Sequence, residues 1–150
     1  LLSIEDIKSL NQIAITYSET GDRRFAIRIY EQVMHYPHNR MFNNEALLTV
    51  MPLLCYNYSR LLGRERRYEE CIEVAQYGYD ICLKYNKARL LGGLLLNIGC
   101  SLQKLGQDEE AKQKLIESYY AFVTVKKFSS AQKVKDYMKE TWGLDFKGDI

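Results

Sequence analysis

Histidine and cysteine, the residue types that most often bind metals or act as nucleophiles, are sparse in this chain. The two histidines, His35 and His38, flank Pro37 in a segment predicted to be a loop. The four cysteines have apolar neighbours and form no Cys-x-x-Cys pair; they are Cys55, Cys71, Cys82 and Cys100. Zinc ligands usually occur as closely spaced pairs of these residue types. We therefore expect no metal and no other cofactor, and we expect buried free thiols in a reducing cytosol.

The stretch LGGLLLNIGCSLQKLGQDEEA, residues 91–111, carries glycines that could cradle a phosphate group. Neither GxGxxG nor GxxxxGK[ST] fits their spacing. The acids that follow are better explained as residues in the first turn of a helix, where the helix dipole favours negative charge. Ser, His and Asp gather in no hydrolase motif. We therefore predict that the chain has no nucleotide site and is not an enzyme.

Basic residues are almost balanced by acidic ones, because 21 Lys and Arg oppose 19 Asp and Glu. The net charge of +2 is too small to indicate nucleic-acid binding by this segment alone. No apolar run approaches the roughly twenty residues that span a bilayer, so we expect no membrane partner. Three basic clusters could be solvated faces or could bind an anionic partner, and the sequence leaves both open: Arg23-Arg24-Arg28, Arg60-Arg64-Arg66-Arg67 and Lys126-Lys127-Lys133-Lys135.

Three internal repeats of equal length, residues 10–33, 55–78 and 95–118, predict the elements that position these side chains. Apolar residues three or four apart make each repeat a pair of amphipathic helices. A small residue is needed where two helix backbones approach closely. Small residues recur at two equivalent positions, which are Ala14, Ser59 and Gly99 in the first helices and Ala26, Cys71 and Ala111 in the second helices.

The same periodicity predicts seven helices, at Ile4–Glu19, Arg23–His35, Asn44–Leu62, Tyr68–Tyr85, Ala88–Leu105, Asp108–Val125 and Ser130–Thr141. Gly21 and Gly106 mark turns between paired helices. Pro52 predicts a kink or a break in the third helix. Ser129 or Ser130 is expected to cap the last helix, which seals the final pair through Ala131, Val134 and Met138, with Tyr137 and Trp142 alongside.

The repeat pattern resembles the tetratricopeptide repeat (TPR), whose template is W-x2-L-G-x2-Y followed by A-x3-F. The third copy, LLNIGCSLQKLGQDEEA, is the closest, and the second departs most because GRERRYEEC replaces the Leu-Gly turn. The resemblance implies an all-α fold of one domain, residues 1–150, built as a right-handed α-solenoid. Its three helix pairs are expected at about 7–40, 52–85 and 92–125, with a C-terminal capping helix at about 129–142.

The first helix of each pair lines a concave groove in TPR stacks, and we expect the same here. The family's inward positions correspond to Asn11, Ile15, Ser18, Tyr56, Asn57, Arg60, Leu96, Asn97, Cys100 and Gln103. Because an Asn amide both donates and accepts, Asn57 and Asn97 could clasp an extended peptide backbone, or could only tie neighbouring helices together. Gly92 and Gly93 each cost about 1 kcal/mol in a helix relative to Ala. Close approach to the preceding pair, or to something in the groove, would explain them.

The whole order of elements, from TGDRRFAI through LLCYNYSRLLGRERRYEECIEVAQYGYDICLKYNK to the capping helix, resembles the C-terminal TPR region of bacterial Xre-type helix-turn-helix regulators. These regulators are similar to peptide-pheromone receptors. The resemblance implies a cytoplasmic, ligand-sensing homodimer that binds a peptide or protein in the groove. It would contact DNA only through an N-terminal domain, which we expect before Leu1 because the chain does not start with Met. The alternative is a constitutive protein–protein adaptor without a DNA-binding domain.

Overall fold

A computed structural model describes residues 2–35 and 45–147 of the chain. The predicted loop at Pro37 and His38, the end of the first repeat and the start of the third helix at Asn44 lie outside the described residues. The described part forms seven α-helices and no strand: α1 Ile4–Glu19, α2 Arg23–Met34, α3 Glu45–Arg64, α4 Tyr68–Lys84, α5 Leu91–Lys104, α6 Asp108–Thr124 and α7 Phe128–Trp142. A 3-10 helical turn, Ala88–Leu90, leads into α5.

The helices pack as three consecutive pairs followed by a terminal helix. Within the pairs α1 packs against α2, α3 against α4 and α5 against α6; α4 also packs closely against α5, and α7 packs against α6. The first helices of successive pairs also touch, because α3 contacts both α1 and α5. This arrangement confirms the prediction of an all-α solenoid of helix pairs closed by a capping helix.

The small residues of the repeats are buried, as the repeats predict. Ala14, Ser59 and Ala111 are completely buried. A methyl group on Gly99 of α5 would lie 2.8 Å from Cγ of Leu115 on α6. That distance is shorter than a carbon–carbon contact allows, so α5 and α6 can pack at this separation only because residue 99 is glycine.

Each turn within a helix pair is closed by the same two backbone hydrogen bonds. In the first pair, the amide of Gly21 donates to the carbonyl of Ser18, and the amide of Asp22 donates to that of Tyr17. Gly106 takes the equivalent place in the third pair, and both glycines have a left-handed φ, +99° at Gly21 and +79° at Gly106. In the second pair Arg66 takes this place with a φ of 61°. The charged GRERRYEEC segment therefore forms the ordinary turn of the repeat.

The prediction that Ser129 or Ser130 caps the last helix is wrong. α7 begins at Phe128, so both serines lie inside its first turn, and no side chain bonds the helix start at Lys127. The reason is the preceding turn, in which the amide of Lys127 donates to the carbonyl of Phe122 and directs the chain into the helix early. α3 continues through Pro52, so the break that was one alternative there does not occur.

Buried apolar residues form two clusters along the stack. The first extends from α1 to the start of α6 and includes Ile7, Tyr30, Leu54 and Leu94. Within it the rings of Tyr30 and Tyr58 stack with their centroids 5.2 Å apart. The second cluster joins α6 to α7 and consists of Leu115, Phe122, Ala131, Val134 and Met138. The predicted apolar face of the capping helix is therefore confirmed.

Candidate functional site

Three cavities that share lining residues lie along the first helices of the three pairs. The first, of about 80 Å³, lies between α1 and α3. The second, of about 200 Å³, lies between α3, α4 and α5. The third, of about 400 Å³, is bounded by α3, α5, α6 and the start of α7. Arg60 lines all three cavities, so they are neighbours, and we call the surface that they make up the groove.

Eight of the ten predicted groove residues line this surface, namely Ile15, Ser18, Tyr56, Asn57, Arg60, Leu96, Asn97 and Cys100. The other two, Asn11 and Gln103, line none of the three cavities. Asn11 is buried, and its Oδ1 accepts hydrogen bonds from the hydroxyl of Tyr30 at 2.8 Å and from Nδ2 of Asn57 at 3.3 Å. Oε1 of Gln103 accepts from the hydroxyl of Tyr137 on α7 at 2.9 Å.

The two groove asparagines use their amide nitrogens to join neighbouring helix pairs. Nδ2 of Asn57 on α3 donates to Asn11 on α1. Nδ2 of Asn97 on α5 donates to the carbonyl of Tyr56 at 3.2 Å and to Oγ of Ser59 at 2.9 Å, both on α3. In the part of the chain that the structure describes, no donor reaches Oδ1 of Asn57 or Asn97. Each side chain therefore ties two helices and keeps one acceptor on the cavity wall.

Two aromatic rings explain the paired glycines at the start of α5. A Cβ atom on Gly93 would lie 2.5 Å from Cε1 of Tyr56, and one on Gly92 would lie 2.6 Å from Cδ1 of Phe122. Tyr56 belongs to the preceding pair, whereas Phe122 lies on α6 of the same pair. Both rings line the third cavity, so the glycines allow them to form its wall.

The thiol groups near the groove are held in their neutral form. Burial raises the pKa of Cys100 to about 11 and also raises that of Cys71. Because the thiolate is the reactive form, neither side chain is a nucleophile at neutral pH. Over the described residues, no group of three or more His, Cys, Asp or Glu side chains could hold a metal ion.

Basic side chains line much of the groove, and the predicted set contained only Arg60. The additional ones are Arg64, Arg89, Lys104, Lys127 and Lys133. Only part of each of the last two basic clusters of the sequence lies in the groove, namely Arg60, Arg64, Lys127 and Lys133. Arg67 pairs with Glu31 and Glu70 outside the groove. The groove residues come together only through folding, because α3, the 3-10 turn, α5 and α7 each supply a part of the set.

Comparison with known proteins gives a match to a family model. The sequence model described as the RNPP family C-terminal domain matches residues 3–140, which is nearly the whole chain. A search of curated proteins and a search of solved structures find no match. None of the helices that the structure describes is long and apolar enough to cross a membrane.

Proposed function

The chain belongs to the RNPP family, and from that premise we propose that it is a regulatory domain that binds a short peptide in the groove. The observation that carries the proposal is the row of three neighbouring cavities along the three helix pairs, with Asn57 and Asn97 among their lining residues. A surface of this kind fits an extended chain better than it fits a compact small molecule.

An extended peptide presents backbone N–H groups that need acceptors. The free Oδ1 atoms of Asn57 and Asn97 supply such acceptors at two points along the groove. Tyr56 and Leu96 supply apolar wall for peptide side chains. A single neutral hydrogen bond contributes only about 1 kcal/mol net, so useful affinity requires several contacts together. Asn11 acts in this proposal as a positioning residue, because it holds the amide of Asn57.

The regulatory step that we propose is thermodynamic linkage. A peptide that contacts all three pairs binds one curvature of the stack more tightly than others and shifts the population towards it. In a homodimer, that curvature would set how two chains pair, and so the spacing of DNA-binding domains attached at the N-terminal side. The dimer, the DNA-binding domain and a cytoplasmic location follow from the resemblance to Xre-type regulators and are part of the proposal.

Selection of peptides followed by calorimetry tests the proposed function. Random heptapeptides are selected on the immobilised protein, and the strongest selected peptide is titrated into wild type, Asn57→Ala and Asn97→Ala. We expect each variant to bind about fivefold more weakly, since each loses one hydrogen bond of about 1 kcal/mol. Gln113→Ala, at an exposed position of α6, is the control and should bind like wild type.

The outcomes separate the two functions considered for the chain. Unchanged affinity in both asparagine variants contradicts the backbone clasp. Failure to select any peptide contradicts the proposed function and favours the alternative of a constitutive protein–protein adaptor. Thermal unfolding of each variant, followed by circular dichroism, separates weaker binding from a loss of folded protein, because both asparagines also join helices.

A further inference from the structure

The groove carries far more positive than negative charge. Six cationic side chains line it, Arg60, Arg64, Arg89, Lys104, Lys127 and Lys133, against one acidic side chain, Glu19. The chain as a whole has 21 basic and 19 acidic residues, so the excess is a local property. Within the described residues, none of these six cations has an acidic partner at salt-bridge distance, whereas five basic residues elsewhere do.

The third cavity concentrates this charge. Four of its lining residues are cationic and none is acidic; the cations are Arg60, Arg89, Lys127 and Lys133. Nζ of Lys127 donates to the backbone carbonyl of Arg89 at 3.4 Å, which joins the turn before α7 to the turn before α5. The rings of Tyr56 and Phe122 form an apolar wall beside the cations. A ligand that covers these rings would exclude water beside the cations, which lowers the local dielectric constant and strengthens their attraction for an anion.

Neighbouring cations without acidic partners repel one another and weaken the folded state. In the first and second cavities burial lowers the pKa of Arg64, and the nearby charges of Arg60 and Arg23 lower it further. An anion bound beside Arg60, which also lines the third cavity, would reduce this repulsion. Apolar surface and unneutralised charge occur together here, as they do in sites that recognise an anionic group on a partly apolar ligand.

We infer that the third cavity binds a carboxylate of the peptide, so that the domain selects peptides with an anionic group at this end of the groove. The inference rests on the proposed function, since it assigns a ligand class to the same groove. Arginine can hold a carboxylate through two parallel N–H···O bonds, and lysine adds a point charge. The carboxylate can come from the peptide C-terminus or from an Asp or Glu side chain.

Two heptapeptide libraries distinguish these sources, one with a free C-terminal carboxylate and one with an amidated C-terminus. If the cavity binds the C-terminal carboxylate, we expect many peptides to be selected from the library with a free C-terminus and few from the amidated library. A side-chain carboxylate predicts enrichment of Asp or Glu at one position in both libraries. In either case, we expect the selected peptide to bind about tenfold more weakly to Arg89→Gln and to Lys133→Gln. Both side chains are exposed, so both variants should fold.

Lys139→Gln is the matched control, because Lys139 is an exposed lysine of the same helix that lines none of the three cavities. Unchanged affinity of Lys139→Gln, together with weaker binding by Arg89→Gln and Lys133→Gln, supports the inference. The inference is overturned, and the proposed function is left standing, by one combined result. In it the selected peptides lack acidic residues, show no preference for a free C-terminus and bind Arg89→Gln and Lys133→Gln like wild type. Failure to select any peptide overturns both. Tighter binding of a twelve-nucleotide oligo-dT than of the selected peptides overturns the assignment to a peptide carboxylate.

Discussion

Arg66 and Lys126 occupy turn positions equivalent to those of Gly21 and Gly106. All four have a left-handed φ, which is unfavourable for residues with a Cβ atom. The two flanking helices impose this conformation, since the amides of Arg66 and Arg67 complete backbone bonds to the carbonyls of Gly63 and Leu62. Residue type alone could not reveal the turn, because local propensity favours glycine and only the packed pair keeps arginine there.

We therefore expect Arg66→Gly to raise the free energy of unfolding by about 0.5 kcal/mol, because relief of the left-handed strain exceeds the extra entropy of glycine in the unfolded chain. Gly106→Ala makes the reverse change and should lower it by about 1 kcal/mol. Urea unfolding followed by circular dichroism measures both. Gln113→Gly, in the interior of α6, should be destabilising. A lower stability of Arg66→Gly would contradict this account of the turn.

At the scale of the helix, the sequence predicts which residues form each element and which face is buried, because periodicity and small residues are local signals. The boundaries of α1 were predicted to the residue, and α7 was displaced by two residues at its start. The partners of Gly92 and Gly93 could not be predicted. They depend on how one pair stacks on the next, which brings Tyr56 from a distant segment over α5.

The residues of the groove were also only partly predictable from the sequence. Eight of the ten positions that the TPR resemblance assigned to inward faces line the cavities, but the resemblance could not show that Asn11 is buried and bonded to Tyr30 or that Gln103 bonds to α7. Nor could it assign Arg89, since the side chain belongs to a 3-10 turn outside the repeat template.

The contact between α5 and α6 leads to a second stability prediction. A Cβ atom at Gly92 would lie within 2.8 Å of three ring atoms of Phe122, including Cγ, so the ring must move. Gly92→Ala should lower the free energy of unfolding by about 2 kcal/mol, although alanine favours the helix by about 1 kcal/mol.

Gly63→Ala is the matched control for this substitution. At Gly63 a Cβ atom would be no closer than 3.7 Å to the nearest atom, Sγ of Cys71, so only the helix preference remains and the protein should become more stable. In a Phe122→Leu background, Gly92→Ala should lower the free energy of unfolding by less than it does in wild type, because the ring is no longer there. Equal effects of Gly92→Ala and Gly63→Ala would show that ring crowding is not the cause.

For the whole molecule, the buried thiols predict how stability depends on pH. Burial, with the nearby Cys82, raises the pKa of Cys55 from 9.0 to about 12, and burial raises that of Cys82 to about 11. The folded state keeps these protons above pH 9, whereas the unfolded state releases them. The contribution to stability is therefore complete below the unfolded pKa and is lost as pH rises from about 9 towards the folded pKa.

We expect the free energy of unfolding, measured by urea titration under reducing conditions, to fall steeply between about pH 9 and 11. Each thiol that titrates only in the unfolded state contributes a slope of about 1.4 kcal/mol per pH unit. Cys55→Ala should be less stable at pH 7 because it leaves a cavity. Its free energy of unfolding should nevertheless fall less steeply with pH, by about 1.4 kcal/mol per pH unit. Identical slopes in wild type and Cys55→Ala would mean that Cys55 does not titrate in this way.

The two core clusters meet where the third cavity lies. Tyr56 and Leu90 on the cavity wall pack with the first cluster, whereas Leu96 and Phe122 belong to or pack with the second. A molecule bound in this cavity therefore touches side chains of both clusters. Bending the stack between the two clusters would break the molecule's contacts with one of them, so a bound molecule would oppose bending there. The resistance to bending therefore depends on how many of the ligand's contacts reach each cluster. Two ligands of equal affinity can differ in this resistance.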